Sequence, residues 1–230
     1  MAIRVTSTKD YQFNGVKAMV YGPTGRGKTK LCATAPRPVI ISNESGLLSL
    51  VGVDIPVIEV KSIADITEAY KYVSQSAASV NFDTICLDSI SEIAEVVLGE
   101  HKATEKDPRQ AYGRLADDMS AMIRLFRDIK GKNVYMTAKE LKYVDEFSGK
   151  ITYMPSMPGK TLLNSLSYFF DEVFAYRLGV LESGQTYRYL QTESDMNYDC
   201  KNRGVQLPPQ IEPHLGKVFG ILSGTPPVTN

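Results

Sequence analysis

Tryptophan is missing from this chain, and histidine and cysteine are scarce: two histidines and three cysteines among 230 residues. Cys32, Cys86 and Cys200 are odd in number, lie far apart and form no CxxC pair, which argues against a disulfide framework or a zinc site. With only His101 and His214, a histidine-rich metal centre is no better supported. Net charge is absent too, because 26 Lys and Arg balance 26 Asp and Glu. No global field therefore draws the chain to nucleic acid, and any such binding must come from a local patch. No apolar run approaches the length a bilayer demands, and the opening Met-Ala-Ile-Arg-Val-Thr lacks the apolar core of a secretory signal. The expectation from these absences is a cytoplasmic protein, in a reducing compartment, with no membrane attachment.

What is present is ordinary globular material, with 43% hydrophobic and 23% charged residues. Short β-like runs alternate with helical segments, the pattern of an α/β fold with a mostly parallel central sheet flanked by helices. Residues 17–21 read as a buried strand, followed at once by a glycine-rich turn and a helix over about 27–34. Further strands are expected at 38–42, 84–87 and 133–137, with late strands at 173–176 and 187–191. Ser62 should cap a helix reaching about Ala78, and Ser89 another carrying Ile90, Ile93, Ala94 and Val97 at helical spacing. A polar stretch, residues 99–109, then reads as a loop before a long amphipathic helix with Ala111, Leu115, Met119, Met122 and Phe126. Residues 141–145 and 150–154 look like the arms of a β-hairpin insertion around Ser148-Gly149. No repeat, low-complexity tract or linker interrupts the chain, so residues 1–230 are expected to form a single domain.

The turn after the first strand carries the most specific signal. Gly22-Pro23-Thr24-Gly25-Arg26-Gly27-Lys28-Thr29 satisfies GxxxxGK[ST], the phosphate-binding loop of ATP-utilising proteins. Glycines let the backbone wrap a phosphate closely, and the free N–H groups at the start of the next helix favour an anion. Lys28 would reach the β- and γ-phosphates of ATP, and the Thr29 hydroxyl would ligate Mg2+. The strand before and the helix after supply the context such a motif requires. Gly159-Lys160-Thr161 imitates its tail but has Met154 where the first glycine should be, and reads as a plain helix start.

Two carboxylates could complete the site. Thr84-Ile85-Cys86-Leu87-Asp88 is an apolar strand ending in aspartate, suited to hold Mg2+ from the C-terminal edge of the sheet; the plainer alternative is a helix cap. Glu44 follows the second strand, where it could activate the attacking water or stand as a solvated loop residue.

The cradle, Glu44 at one strand tip and Leu87-Asp88-Ser89 at another together resemble the RecA-like branch of the P-loop NTPases. More narrowly, residues 14–222 resemble phage-encoded RecA-like proteins of the single-strand annealing and recombination group. That resemblance implies a RecA-like P-loop NTPase core and DNA-stimulated ATP hydrolysis, with Glu44 as catalytic base. It implies a polar γ-phosphate sensor at the end of the fourth strand, where Thr137, Lys139 and Glu140 compete. Lys201 and Arg203, after a late strand, match basic residues that reach a neighbouring subunit's ATP in a homo-oligomeric ring or filament. A single-strand-binding protein is a further partner the resemblance suggests. It also implies two DNA-facing segments, residues 99–109 and 140–159. Lys102, Lys106 and Arg109 lie in the first. The second interleaves Lys142, Tyr143, Phe147 and Lys150, where basic groups could neutralise phosphates and rings could stack on unpaired bases of single-stranded DNA. The rival reading is a solvated hairpin, or an ATP-dependent switch that binds a protein partner and hydrolyses little.

Overall fold

A computed structural model describes Ser7 and residues 13–43 and 47–224. Its centre is a sheet built from apolar strands whose side chains alternate between two covered faces, as buried parallel strands require. The chain enters through β1 (Lys17–Tyr21), α1 (Lys28–Cys32), β2 (Pro38–Ser42), β3 (Val57–Glu59), α2 (Ile63–Gln75) and β4 (Thr84–Leu87). It continues through α3 (Ile90–Thr104), α4 (Pro108–Arg127), β5 (Asn133–Val144), β6 (Ile151–Ser156) and α5 (Lys160–Ser165). Last come β7 (Glu172–Val180), β8 (Thr186–Gln191), β9 (Lys201–Asn202), β10 (Gln210–Ile211) and α6 (Leu215–Ser223).

The strand order is β10-β8-β7-β1-β5-β4-β2-β3. From β7 to β3 all neighbours are parallel, while β8 and β10 add antiparallel at one edge. The expected mostly parallel sheet flanked by helices is what the chain forms. Alternation is legible residue by residue. Met19, Tyr21, Ile41, Leu87 and Met136 join the core under α2 to α5, whereas Ala18, Val20, Ile40, Cys86 and Tyr135 join the core under α1 and α6. All three cysteines are buried and free. Among the described residues no helix is long and apolar enough to cross a membrane.

Three local expectations need correction. The expected loop at 99–109 is mostly helix, because α3 continues through Thr104 and Asp107 caps α4 by accepting from the Arg109 N–H at 2.9 Å. Polar composition misled there: the outer face of α3 is simply solvated, while His101 is buried and its Nε2 lies 2.8 Å from Asp118 Oδ2. The fourth strand does not stop at Thr137 but runs as one twelve-residue strand into the hairpin, since β6 pairs with its distal half from Lys139↔Ser156 to Val144↔Ile151. The phosphate-loop helix is shorter than expected, ending at Cys32. The short strands β3, β9 and β10 and the helix α6 carry too few residues, or too little contrast, to stand out in sequence.

The end of the sheet remote from the strand tips holds two buried charged groups. The Lys17 ammonium donates to the Ile129 and Lys132 carbonyls at 3.2 and 2.6 Å, and burial lowers its pKa to about 8. Glu172 is also buried, accepting from the Arg203 and Gly204 N–H groups at 3.3 Å each through Oε1, while Oε2 has no hydrogen-bond partner among the described residues. Burial pushes its carboxyl from 4.5 up to about 7. The folded state thus holds this proton more tightly than the unfolded chain. The resulting stabilisation is complete below about pH 4.5 and is lost as pH rises to about 7. Glu172→Gln should flatten that fall and raise stability above pH 7 by on the order of 2 kcal/mol. Urea midpoints at pH 5 and pH 8 check it, and an unchanged difference between the two would remove Glu172 as the source.

Candidate nucleotide site

The loop from Gly22 to Gly27 leaves the C-terminal end of β1 at mid-sheet and delivers the chain into α1. Two glycines there are needed for space and conformation. A Cβ on Gly22 would meet the Tyr176 carbonyl oxygen at 3.0 Å; Gly27 has φ +110°, and its Cβ would meet Tyr176 Oη at 3.3 Å. The loop therefore lies against Tyr176 at the middle of β7, with a cavity of about 270 Å³ over it. Lys28 and Thr29 line that cavity, and the Lys28 ammonium is held low against the loop by the Gly22 and Pro23 carbonyls at 2.7 and 3.0 Å. Tyr135 Oη donates to the Lys28 carbonyl at 3.0 Å, tying α1 to β5.

Asp88 is brought to the same cavity by the register Ile41↔Leu87↔Met136, which aligns the ends of β2 and β4 with the first half of β5. It is 4% exposed. Its Oδ1 accepts from the Thr137 hydroxyl, and its backbone carbonyl accepts from Ser42 Oγ at 2.6 Å. Its Oδ2 is buried with no hydrogen-bond partner among the described residues. A buried carboxylate oxygen without a partner is costly unless something cationic meets it. One such oxygen, with the Thr29 hydroxyl in the same cavity, fits Mg2+ held together with phosphates better than an all-protein metal cage. In keeping with that, no cluster of three His, Cys, Asp or Glu side chains occurs among the described residues. The helix-cap alternative falls to Ser89, whose hydroxyl accepts from the Glu92 N–H at 3.3 Å.

Of the three competitors at the end of the fourth strand, Thr137 is engaged with Asp88, and Lys139 lines the cavity while ion-paired with Glu92. Glu140 is half-buried, and burial raises its carboxyl against the opposing pull of Lys28, Arg177 and Arg26. Glu44 falls outside the described residues; β2 is described to its end at Ser42, beside Asp88.

Lys201 and Arg203 are not brought to this cavity. β9 pairs with Glu172 and Val173, the first residues of β7, so both cations sit at the opposite end of the sheet. Lys201 donates to the Ser167 and Phe170 carbonyls at 3.2 and 2.6 Å, and Arg203 pairs with Asp171 at 3.3 Å. Conversely, Ser49, Tyr176 and Arg188 line the phosphate cavity although nothing local in the sequence singles them out.

A protein-family model described as "AAA domain" matches residues 14–204, most of the chain. The chain belongs to the AAA domain family. This AAA domain is accordingly a P-loop ATPase family member, with a mixed, mostly parallel sheet. No curated protein matches it. Among solved structures, a KaiC-like protein from the hyperthermophilic archaeon Pyrococcus horikoshii OT3 is similar at 15% identity and a TM-score of 0.41, over 77% of this chain and 78% of that one.

The proposed nucleic-acid residues separate into two groups. Lys142, Tyr143, Phe147 and Lys150 belong to the β5–β6 hairpin, where Tyr143 is 50% exposed and Phe147 fully so. At the tip, Asp145 Oδ1 accepts from Phe147 N, Ser148 N and Ser148 Oγ and shapes the turn. At the root, Tyr153 stacks on Tyr198 at 4.7 Å, and Arg177 lies over Tyr198 at 3.7 Å. Lys102, Lys106 and Arg109 are exposed around the α3–α4 junction, with Lys102 over the Tyr112 ring at 5.3 Å. Arg109 and Tyr112 share a cleft of about 280 Å³ with Lys160 of α5.

Proposed function

We propose that this AAA domain binds MgATP at Gly22–Thr29 and hydrolyses it while acting on single-stranded DNA, in strand annealing or recombination of the phage type. One observation carries the DNA part of the reading: β5 is a single strand whose middle, at Lys139, lines the phosphate cavity and whose far end bears exposed Lys142 and Tyr143. Thr137 and Lys139 stand on that strand at the cavity, so a shift of β5 with nucleotide state would be felt at the hairpin. In this reading Lys28 neutralises the β/γ-phosphates, and Thr29 with Asp88 holds Mg2+, which supplies charge neutralisation on the transferring phosphoryl group. Glu44 takes the proton from the attacking water. Homo-oligomers, and a single-strand-binding protein as a partner, belong to the same reading.

The fully exposed Phe147, with Val144 at 48% exposure, favours the second reading, an ATP-dependent switch that seats a protein partner on the hairpin. ATP turnover with and without single-stranded DNA separates the two. Under the DNA reading, DNA stimulates turnover. Replacing Lys142 and Lys150 together should lower the salt slope of binding by about 1.4, at roughly 0.7 per phosphate contact. Phe147→Ala should instead weaken binding at constant slope, because base stacking releases no counterions. Turnover indifferent to DNA, together with unchanged binding by both variants, would leave the switch reading standing.

A further inference from the structure

The phosphate cavity has two flanks. Counted outward from β1, one flank is β5 and β4, bearing Lys139 and Asp88, and the other is β7 and β8, bearing Tyr176 and Arg188. On the proposed reading Asp88 and Thr29 would hold Mg2+, and the terminal phosphates with it, toward the β4 side. A nucleotide so placed extends its α-phosphate and nucleoside toward β7 and β8.

Arg188 is the cation on that flank. It stands two residues before Leu190, which belongs to the core beneath α1, so the period of two puts Arg188 on the same face of the sheet as the phosphate-loop helix. The pairs Tyr176↔Leu190 and Leu178↔Arg188 carry it past the sheet end where the loop rests on Tyr176. Arg37, Arg114, Arg127, Arg177 and Arg203 are each paired with a carboxylate. Arg188 has no hydrogen bond or ion pair among the described residues, is exposed, and lines the cavity that holds Lys28. A guanidinium in that setting is suited to grip phosphate oxygens through two N–H groups at once.

We propose that Arg188 is a nucleotide ligand within its own subunit, contacting the α-phosphate from the flank opposite Asp88. The proposal rests on the reading of Gly22–Thr29 as the phosphate cradle. Because the α-phosphate is common to ATP and ADP, the contact contributes equally to both and does not discriminate between them.

The test is equilibrium titration of ATP and ADP, with Mg2+, into the wild type, Arg188→Ala, Arg188→Lys and Lys28→Ala. Arg188→Ala should weaken both nucleotides by the same factor, roughly tenfold for one charge-assisted contact. Arg188→Lys should recover part of that loss, since an ammonium keeps the charge but not the fork, and its recovery also shows that the strand still folds. Wild-type affinity of Arg188→Ala for both nucleotides would make Arg188 a solvated surface cation and overturn the proposal. A loss confined to ATP would also overturn it, by moving the contact to the terminal phosphate. Lys28→Ala separates the two levels: if Lys28→Ala binds normally the cradle reading fails, and if only Arg188→Ala does, the cradle stands and the Arg188 assignment falls.

Discussion

Lys28→Ala is expected to weaken MgATP binding on the order of a hundredfold, the loss of a cation that makes charge-assisted contacts to two phosphates. The hydrogen bonds from the Lys28 ammonium to the Gly22 and Pro23 carbonyls lie within the loop rather than between core elements. The melting temperature of the nucleotide-free protein should therefore stay near that of the wild type, while the rise produced by added MgATP disappears. An undiminished nucleotide-dependent rise would contradict the central assignment of the site. The same variant probes assembly. If Arg203 acts on a neighbour's ATP, mixing Lys28→Ala with Arg203→Ala protein should restore some turnover, because a mixed interface pairs an intact cradle with an intact arginine. No restoration at any concentration would leave Arg203 as the partner of Asp171 that it is within one subunit.

Glu44→Gln should bind MgATP with near wild-type affinity yet hydrolyse it about a hundredfold or more slowly, the usual cost of removing a general base. Glutamine keeps the shape and hydrogen-bonding reach of the side chain but takes up no proton at neutral pH. Ser42, the last residue of β2 and two residues before Glu44 in sequence, donates to the Asp88 carbonyl. Single-turnover measurement is the decisive assay, because it separates chemistry from product release. Equal single-turnover rates for the variant and the wild type would return Glu44 to a solvated loop and direct attention to Glu140, the half-buried carboxyl whose neighbours include Lys28.

The sequence alone determined whatever depends on local chemistry. GxxxxGK[ST] fixes a phosphate loop because glycines, a lysine and a hydroxyl must occupy fixed offsets between a strand and a helix. Buried strands 17–21, 38–42 and 84–87 declare themselves as apolar runs, and Ser62 and Ser89 declare themselves as caps, each confirmed by a hydrogen bond to the third residue on. Where polarity was the only guide, as along residues 99–109, the reading failed, because a solvated helix face and a loop share a composition.

Only the tertiary structure decided what meets across the sheet. That Asp88 meets the Thr137 hydroxyl follows from the pairing of β4 with β5, and that Lys201 and Arg203 lie at the far end follows from the pairing of β9 with the start of β7. Arg188 reaches the phosphate cavity because β8 folds back antiparallel on β7, which itself pairs with β1. Residues 26 and 188 are far apart along the chain and touch the same cavity, and such a long-range register is set by two covered faces closing together rather than by any short stretch of sequence.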